Sequence, residues 1–342
     1  MHIRSCKDKA IYQELHKKMG FHFLQSWQWG EVKKPVWNIY RIILDDQIPV
    51  SILTRKIPLV NRQFGYIPKF LDQRILSDDI LSQILSYAQN DLKLSHLHIE
   101  PNICDENKRQ VFQRYKPALE TRTLQPNYSN IIGLDRTYDE IFSDFSATYR
   151  RNIRKGYKLG LEHEIFESGD FAIDKFYSIM KQIICRTKYV MHGPKYFQRI
   201  WEMLSPDKMA KIYLTKKDQT ILGSIFMIFD NLGAYEMYGG VTDAGKKMRA
   251  GYVLRDVTIQ DAIKMGKTFY DQWGVAKFDK DGFDKNDELF NISLFKEGFG
   301  GENVKFLPQF TYIFSKFDYS LYKFVISSNN LRIRLLKLLR NK

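Results

Sequence analysis

Residues 211–229 read KIYLTKKDQTILGSIFMIF, two apolar runs joined by a short charged stretch. Both runs are rich in β-branched and aromatic residues, and Lys216-Lys217-Asp218-Gln219 lies between them, which predicts a hairpin of two buried strands. The following residues predict a strand over 234–238, an amphipathic helix over 250–265 and a last strand over 269–273. The hairpin therefore belongs to an α/β unit.

Two further stretches complete the predicted fold. Just before the hairpin, the sequence predicts helices over 139–145, 149–159 and 173–187, with a strand over 162–166. The first part of the chain predicts a helix over 11–19, strands over 37–44 and 50–57, a helix over 80–92, a strand over 96–99, and a further helix and strand that lead to 129–135. Two successive halves of similar order predict a duplicated α/β fold.

Length and charge bound the class of protein. At 342 residues the chain is long enough for two domains, and 44% apolar residues are ample for buried cores. Fifty-three Lys and Arg against 39 Asp and Glu give a formal net charge of +14. This excess favours polyanion partners such as nucleic acid, nucleotide phosphates or an anionic membrane surface, without choosing among them.

Cysteine usage and apolar run lengths indicate the compartment. Cys6, Cys104 and Cys185 show neither a disulfide framework nor paired zinc-ligand spacing, which points to a reducing compartment. The first 19 residues contain no apolar run of signal-peptide length, and the longest apolar stretch, 221–229, is far below the ~20 residues of a spanning helix. We expect a soluble cytoplasmic monomer, with peripheral contact to the inner membrane surface as its one link to a membrane.

The C-terminal segment 330–340 reads as a basic amphipathic helix, with leucines on one face. Such a helix either docks onto the N-terminal domain or lies on an anionic lipid surface. Docking within the chain is the favoured interpretation.

Metal and nucleophile sites have little support. On a strand, His96 and His98 share one face with Glu100, but a zinc site needs a further cluster that the sequence does not offer. Ordinary polar strand residues are therefore favoured at these positions. The sequence contains no Gly-x-Ser-x-Gly motif, and no serine or cysteine lies in a recognisable activating context.

Two basic segments are candidates for phosphate binding. Residues 246–252 lie where an acetyl-CoA-dependent acetyltransferase carries its pyrophosphate loop, but Gly245 and Gly251 do not give that loop's tight glycine spacing. The segment 149–158 carries five cations at three- and four-residue spacing, flanked by Tyr149 and Tyr157, as expected for phosphate contacts with base stacking. A solvated helix face is the alternative. The five cations are Arg150, Arg151, Arg154, Lys155 and Lys158.

Residues 295–301 place Lys296 beside Phe295 and just before a Gly-Phe-Gly-Gly bend. A cation fixed by apolar neighbours can stabilise an oxyanion as it forms. Taken alone, however, the pattern favours a surface loop.

Four motifs in order resemble those of the FemABX family of tRNA-dependent peptidoglycan aminoacyltransferases. Order and spacing hold from about residue 20 to 310, without the helical-hairpin insert of the longer members. The motifs are FLQSWQWGEVK at 23–33, YRRNIRK at 149–155, YGG at 238–240, and YD at 270–271 followed by LFKEGFGG at 294–301.

The resemblance implies an α/β fold of tandem acetyltransferase-like (GNAT-type) domains with mixed sheets flanked by helices. We expect the first domain over 1–136, completed by 311–342, and the second over 137–310. The family's donor is aminoacyl-tRNA, and its acceptor is an amino group on the stem peptide of UDP-MurNAc-pentapeptide or its lipid-linked form. No cofactor and no metal are implied, because the donor binds through RNA.

The resemblance also implies a transfer centre. Lys296 would stabilise the developing oxyanion and hold the donor ester near the amine, with Phe295 and Tyr238 lining the site. Glu100 is the candidate general base, although the substrate's own groups are an alternative.

Precursor and tRNA sites follow by the same resemblance. Lys33 and Tyr196 match residues of the precursor site. An arginine is expected about four residues before this tyrosine, where His192 and Gly193 stand, and Arg186 would reach in from the preceding helix. The basic helix around Arg150 would bind tRNA.

Two other functions are kept open. The same fold would serve an acyl-CoA-dependent N-acyltransferase acting on a cell-envelope saccharide. A non-catalytic protein that binds RNA or a membrane through its two basic helices would bind RNA with steep salt dependence and without regard to tRNA charging.

Overall fold

The computed structural model describes residues 2–58, 60–119, 123–169, 171–187 and 191–327. The predicted C-terminal helix over 330–340 lies outside these residues. The chain divides into two compact units. Unit 1 comprises Met1–Met19, Leu24–Gln125 and Phe306–Lys342, and unit 2 comprises Gly20–Phe23 and Pro126–Lys305.

Unit 1 is built on a seven-stranded sheet of order β1-β2-β3-β4-β5-β16-β6. All neighbours pair antiparallel except β4 and β5, which are parallel. The helix α3 begins at Asp78, after Ser77, whose hydroxyl accepts a hydrogen bond from the Ile80 amide, and it buries an apolar face. The elements are β1 Ile3–Ser5, α1 Lys9–Met19, α2 Trp27–Lys33, β2 Asn38–Leu44, β3 Ile48–Lys56, β4 Gln63–Phe70, α3 Asp78–Asn90, β5 His96–Pro101, α4 Arg109–Gln113, β6 Ala118–Leu119, β16 Phe310–Ile313, and a helix over 316–327.

Unit 2 is built on a second seven-stranded sheet, of order β8-β9-β10-β11-β12-β7-β15. Again a single pair, β11 and β12, is parallel. A small two-stranded hairpin, β13 and β14, lies outside this sheet. The elements are β7 Tyr128–Gly133, α5 Tyr138–Asp144, α6 Ala147–Lys158, β8 Glu162–Phe166, α7 Phe171–Thr187, α8 Pro194–Leu204, β9 Ala210–Lys217, β10 Thr220–Phe229, β11 Gly233–Val241, α9 Asp243–Lys247, α10 Ala250–Lys264, β12 Phe269–Gly274, β13 Phe278–Asp279, β14 Gly282–Phe283, α11 Phe290–Glu297 and β15 Glu302–Lys305.

The two units repeat one topology. From β1 in unit 1 and from β8 in unit 2, a strand, two helices, three antiparallel strands, a helical segment, a parallel strand, a short helix and an edge strand follow in that order. In unit 2 the helical segment consists of α9 and α10, and the hairpin β13–β14 precedes the short helix. In each, the strand between the parallel strand and the edge strand comes from a distant part of the sequence, β16 in unit 1 and β7 in unit 2. The predicted duplication of an α/β unit is confirmed.

Several predicted details were wrong. The helix α8 was not predicted, and β11 runs on to Val241, beyond the predicted end at 238. The helix α10 is not amphipathic, because residues buried in the core of unit 2 lie all round it. The segment around Lys296 is the last turn of α11 and not a surface loop. Within the described ranges, no helix is both long enough and apolar enough to cross a membrane.

Candidate functional site

The parallel strands of unit 2 separate at their carboxyl ends. Their ladder runs from Gly233 and Phe269 to Tyr235 and Asp271. Beyond that point β11 continues against β10, and β12 continues against β7. We call the space between residues 236–241 and 272–274 the wedge. Ligands of open α/β sheets bind in such crevices at the carboxyl ends of strands.

Lys296 is held at this wedge by the end of β12. Its Nζ donates to the carbonyl oxygens of Trp273 at 3.2 Å and Gly274 at 2.7 Å. The Gln272 side-chain amide in turn donates to the Lys296 carbonyl at 3.0 Å, so β12 hydrogen-bonds both the side chain and the main chain of Lys296. Lys296 is 7% exposed, so its ammonium group is largely removed from water, and the two carbonyls fix its direction.

Burial lowers the pKa of Lys296 to about 8. The Glu236 carboxylate works against this shift, the Arg255 guanidinium adds to it, and Asp271 again opposes it. An ammonium has three donor positions, and the two carbonyls take two of them. The third is available to an oxygen that gains negative charge.

A buried ion pair lies in the same unit. Arg255 on α10 pairs with Glu236 on β11, and both side chains are less than one-tenth exposed. Tyr270 donates to the second Glu236 oxygen at 2.9 Å and shares a hydrogen bond with Thr258. The Arg255 Nε has no hydrogen-bond partner among the described residues. This charged network therefore holds α10 against the two strands that form the wedge.

Phe295 covers the guanidinium of that ion pair. The Arg255 Cζ lies 4.7 Å from the Phe295 ring centroid, a cation–π distance. Tyr149 and Tyr252 pack on the same phenylalanine at 5.6 and 5.0 Å between ring centroids. The Tyr149 ring also fills the space that a Cβ at Gly298 would need. Tyr149 is thus a packing residue beside the site and not the stacking platform that its sequence position suggested.

Tyr238, Tyr196 and His192 are brought together around one ring. Tyr238 and Tyr196 contact Phe197 at 4.9 and 5.7 Å between centroids, and His192 lies against Tyr196 at 3.9 Å. The Arg186 side chain lies outside the described residues. Two of the predicted precursor contacts are therefore linked to one predicted transfer-site residue by a chain of ring contacts through Phe197.

Glu100 and Lys33 belong to unit 1. Glu100 is buried and accepts hydrogen bonds from the Tyr66 hydroxyl and from the amides of Leu124 and Gln125 at 2.8 and 3.1 Å. Burial raises the pKa of its carboxyl, and these hydrogen bonds oppose the rise. The Nζ of Lys33, on the last turn of α2, lies 4.6 Å from the Trp29 ring.

The basic stripe on α6 is mostly exposed. Arg151, Arg154, Lys155 and Lys158 face solvent, whereas Arg150 bonds the carbonyls of Ser143 and Phe145 at the end of α5. Tyr157 donates to Asp256 at 2.6 Å, which ties its ring to α10. Four cations of the predicted stripe are thus exposed to solvent and could contact a polyanion, whereas Arg150 connects α6 to the end of α5.

The segment 246–252 leads from the end of α9 into the first turn of α10. A Cβ on Gly245 would lie 2.2 Å from the Leu222 carbonyl oxygen, so this glycine is required for packing against β10. The chain turns at Arg249, whose φ is +70°, and α10 begins at the next residue.

His96 and His98 lie in an aromatic cluster of unit 1. His96 stacks on Phe64 at 5.3 Å, and the His98 Nδ1 bonds the Thr311 hydroxyl at 2.7 Å. Burial lowers the pKa of His96 to about 2, so this imidazole is neutral. Within the described ranges, no group of three or more His, Cys, Asp or Glu side chains is placed to hold a metal ion.

Sequence reasoning missed Arg255 and Glu236. A charged residue in the middle of an apolar segment signals that it has some partner, without saying which one, since buried charges are rarely unpaired. Tyr270 and Asp271 entered only as part of a motif, without a role. The structure shows that Tyr270 holds Glu236, and that Asp271 accepts from Ser129 and from the Trp273 amide.

Comparisons with known proteins agree with this fold. Residues 143–279 match the family model described as an acetyltransferase (GNAT) domain. The solved structure of FemX superposes with a TM-score of 0.82 at 18% identity, covering 95% of this chain and 100% of that one. A tandem GNAT protein of the clavulanic acid biosynthesis pathway gives a TM-score of 0.54 at 9% identity, covering 92% and 98%. The predicted tandem GNAT-type fold is confirmed.

Curated relatives are named lipid II:glycine glycyltransferase. The protein of that name from Staphylococcus epidermidis is 25% identical over 211 residues, 56% of this chain and 50% of the relative. Its Staphylococcus aureus counterpart is 24% identical over 213 residues, 57% and 50% of the two chains. The chain thus spans about half the length of the curated relatives it matches. Together with the FemX fold, these relatives confirm the resemblance to the FemABX family.

Proposed function

We propose that this protein is an aminoacyltransferase that moves an amino acid from aminoacyl-tRNA to an amino group on the stem peptide of a peptidoglycan precursor. The observation that carries the proposal is Lys296, buried at the wedge with two of its three donor positions fixed by strand carbonyls. The names of the relatives support the reaction, since they are glycyltransferases acting on lipid II.

The reaction follows from positioning and charge. The acceptor amine attacks the ester carbonyl of the aminoacyl-tRNA, and the carbonyl oxygen becomes an oxyanion. Lys296 donates its remaining N–H to that oxygen. Collapse of the intermediate forms the amide and releases the tRNA ribose hydroxyl, which takes up a proton as the amine loses one. No covalent enzyme intermediate is needed, because the ester is already activated.

The amine's proton needs an acceptor. We retain Glu100 as the candidate base, because it is a buried carboxyl whose pKa burial raises above its ordinary value. The substrate's own groups remain the alternative.

We propose a lipid-linked acceptor. His192 and Gly193 stand where the nucleotide-bound precursor would call for an arginine, and the relatives are named for lipid II. Lys33, Tyr196 and His192 would contact the precursor, and the exposed cations of α6 would contact tRNA. The protein would then act as a monomer at the inner face of the plasma membrane.

The test is transfer of radiolabelled amino acids from charged tRNA to lipid II by the purified chain, with glycine tried first. Lys296→Ala is expected to abolish transfer. Lys211→Met is the matched control, because Lys211 is also a buried lysine of unit 2, paired with Glu167 and Asp261. Failure of transfer with every charged tRNA, or full activity of Lys296→Ala, would refute the proposal.

One observation favours a second function. The matching family model describes an acetyltransferase domain, which supports the acyl-CoA donor of the alternative in which a cell-envelope saccharide is the acceptor. Saturable acetyl-CoA binding measured by calorimetry would favour it. The spacing of Gly245 and Gly251 speaks against a pyrophosphate loop, which carries its glycines closer together.

A further inference from the structure

The helix over 316–327 of unit 1 has one face packed against the sheet. Tyr322 lies 4.4 Å from the His96 ring and 4.9 Å from the Phe64 ring, and Tyr319 lies 4.9 Å from His96. Asp318 is buried and pairs with Arg62 at 3.3 Å. These contacts fix which side of the helix faces the protein.

The opposite side exposes two phenylalanines. Phe317 is 76% exposed and Phe324 is 68% exposed, the two largest such values among the large apolar side chains described. Seven residues apart, they lie within about 20° of each other around the helix and ~10 Å apart along it. Most surface apolar residues are scattered singly, so two bulky rings in line are a distinct feature.

Cations flank this stripe. Lys316 and Lys323 are exposed and lie about 100° around the helix from Phe317 and Phe324, and the Lys323 Nζ is 5.6 Å from the Tyr319 ring. From 316 to 342 the sequence contains seven Lys and Arg and a single acidic residue, the inward-facing Asp318. Five of those cations lie in residues 328–342, whose structure is not described.

We infer that the stripe formed by Lys316, Phe317, Lys323 and Phe324 is a docking surface for an anionic lipid bilayer. Aromatic rings partition into the boundary between headgroups and acyl chains, and neighbouring lysines pair with lipid phosphates above them. Each cation near an anionic surface adds to the attraction, so the basic segment that follows strengthens binding. This rests on the proposed lipid-linked acceptor, for which a membrane-bound enzyme would be suited.

Flotation of the full chain with vesicles tests the inference. The chain is expected to float with phosphatidylcholine vesicles that contain 30% phosphatidylglycerol, and much less with phosphatidylcholine alone. Phe317→Ser/Phe324→Ser should reduce the bound fraction at least tenfold at an unchanged melting temperature. Phe171→Ser, which removes a phenylalanine 58% exposed on unit 2, should bind as the wild type does.

Three results would overturn the inference. They are wild-type flotation of the double serine variant, equal binding to both vesicle types, and a wild-type dimer in light scattering that the double variant converts to monomer. The last result would assign the stripe to a second copy of the chain. Flotation requires neither tRNA nor acceptor, so its failure leaves the transfer reaction standing, and failed transfer leaves the membrane surface standing.

Discussion

Lys296 should make the stability of this protein depend on pH in a way that one substitution removes. Its pKa falls from 10.5 to about 8 in the folded chain, mainly through burial. At about 1.4 kcal/mol per pKa unit, the folded state loses about 3 kcal/mol by keeping this lysine charged. The side chain is 7% exposed, so solvent screening does not reduce this figure much.

The sign of the effect follows from linkage. Below pH 8 the lysine is protonated in both states, and the full cost is present. Between pH 8 and 10.5 the folded protein gives up the proton while the unfolded chain keeps it, so the cost disappears as pH rises. Lys296→Met has no such cost. The difference in the free energy of unfolding, wild type minus Lys296→Met, should therefore rise by about 3 kcal/mol between pH 7 and 10.5.

Urea unfolding of both proteins at several pH values measures this change. The difference between the two proteins at one pH also contains the carbonyls of Trp273 and Gly274, which lose their donor in the variant, but that contribution is the same at each pH. Only the change of this difference with pH reports the titration of Lys296. A constant difference from pH 7 to 10.5 would mean that the lysine titrates normally, and the account of the site would be wrong.

Three other changes test separate parts of the structure. Glu236→Gln leaves the buried Arg255 without its ion-pair partner, which should lower the free energy of unfolding in urea by about 3–5 kcal/mol. It also removes the carboxylate that most strongly opposes the lowered pKa of Lys296. The lysine should then lose its proton at a lower pH, and the loss of transfer that follows this deprotonation should begin at a lower pH. Gly245→Ala should lower the free energy of unfolding by about 1–3 kcal/mol, because its Cβ would meet the Leu222 carbonyl oxygen. Gly251→Ala is the control and should be neutral or stabilising, because its Cβ makes ordinary contacts at 3.4 Å. Equal effects of the two substitutions in thermal unfolding would contradict the packing role of Gly245. Replacing the four exposed cations of α6 by alanine should lower the slope of log binding constant against log salt for tRNA by about three, while alanine at Lys7, Lys9, Lys17 and Lys18 should leave the slope near that of the wild type.

Periodicity and turn chemistry predicted most of the fold. The hairpin from Ala210 to Phe229 follows directly from two apolar runs around a polar turn, since Asp218 takes the positive φ that such a turn requires. The helix α8 was missed although its signals were present, namely a proline at its first position and buried Phe197, Ile200 and Leu204 at helical spacing. The pairing of β16 with β5, more than 200 residues away in sequence, leaves no local signal at all.

The candidate site was predictable only in part. Lys296 was identified by its place in a motif. Because a surface loop was expected there, neither its burial nor its hydrogen bonds to two carbonyls were predicted. Arg255 and Glu236 lie 19 residues apart on different elements, and nothing in the sequence says that they meet. Pairing across elements is a property of the packed core, so a single sequence cannot reveal it.

The two units share one topology, yet their parallel strands end differently. In unit 1 the ladder of β4 and β5 resumes after a bulge and reaches Phe70 and Pro101, so the strands stay together. In unit 2 the equivalent ladder stops at Tyr235 and Asp271 while both strands continue. This separation forms the wedge, and Lys296 of α11 bonds the carbonyls of Trp273 and Gly274 at the end of β12. Duplication therefore supplied two copies of the scaffold, and the opening of the parallel pair is the reason to place acyl transfer in unit 2.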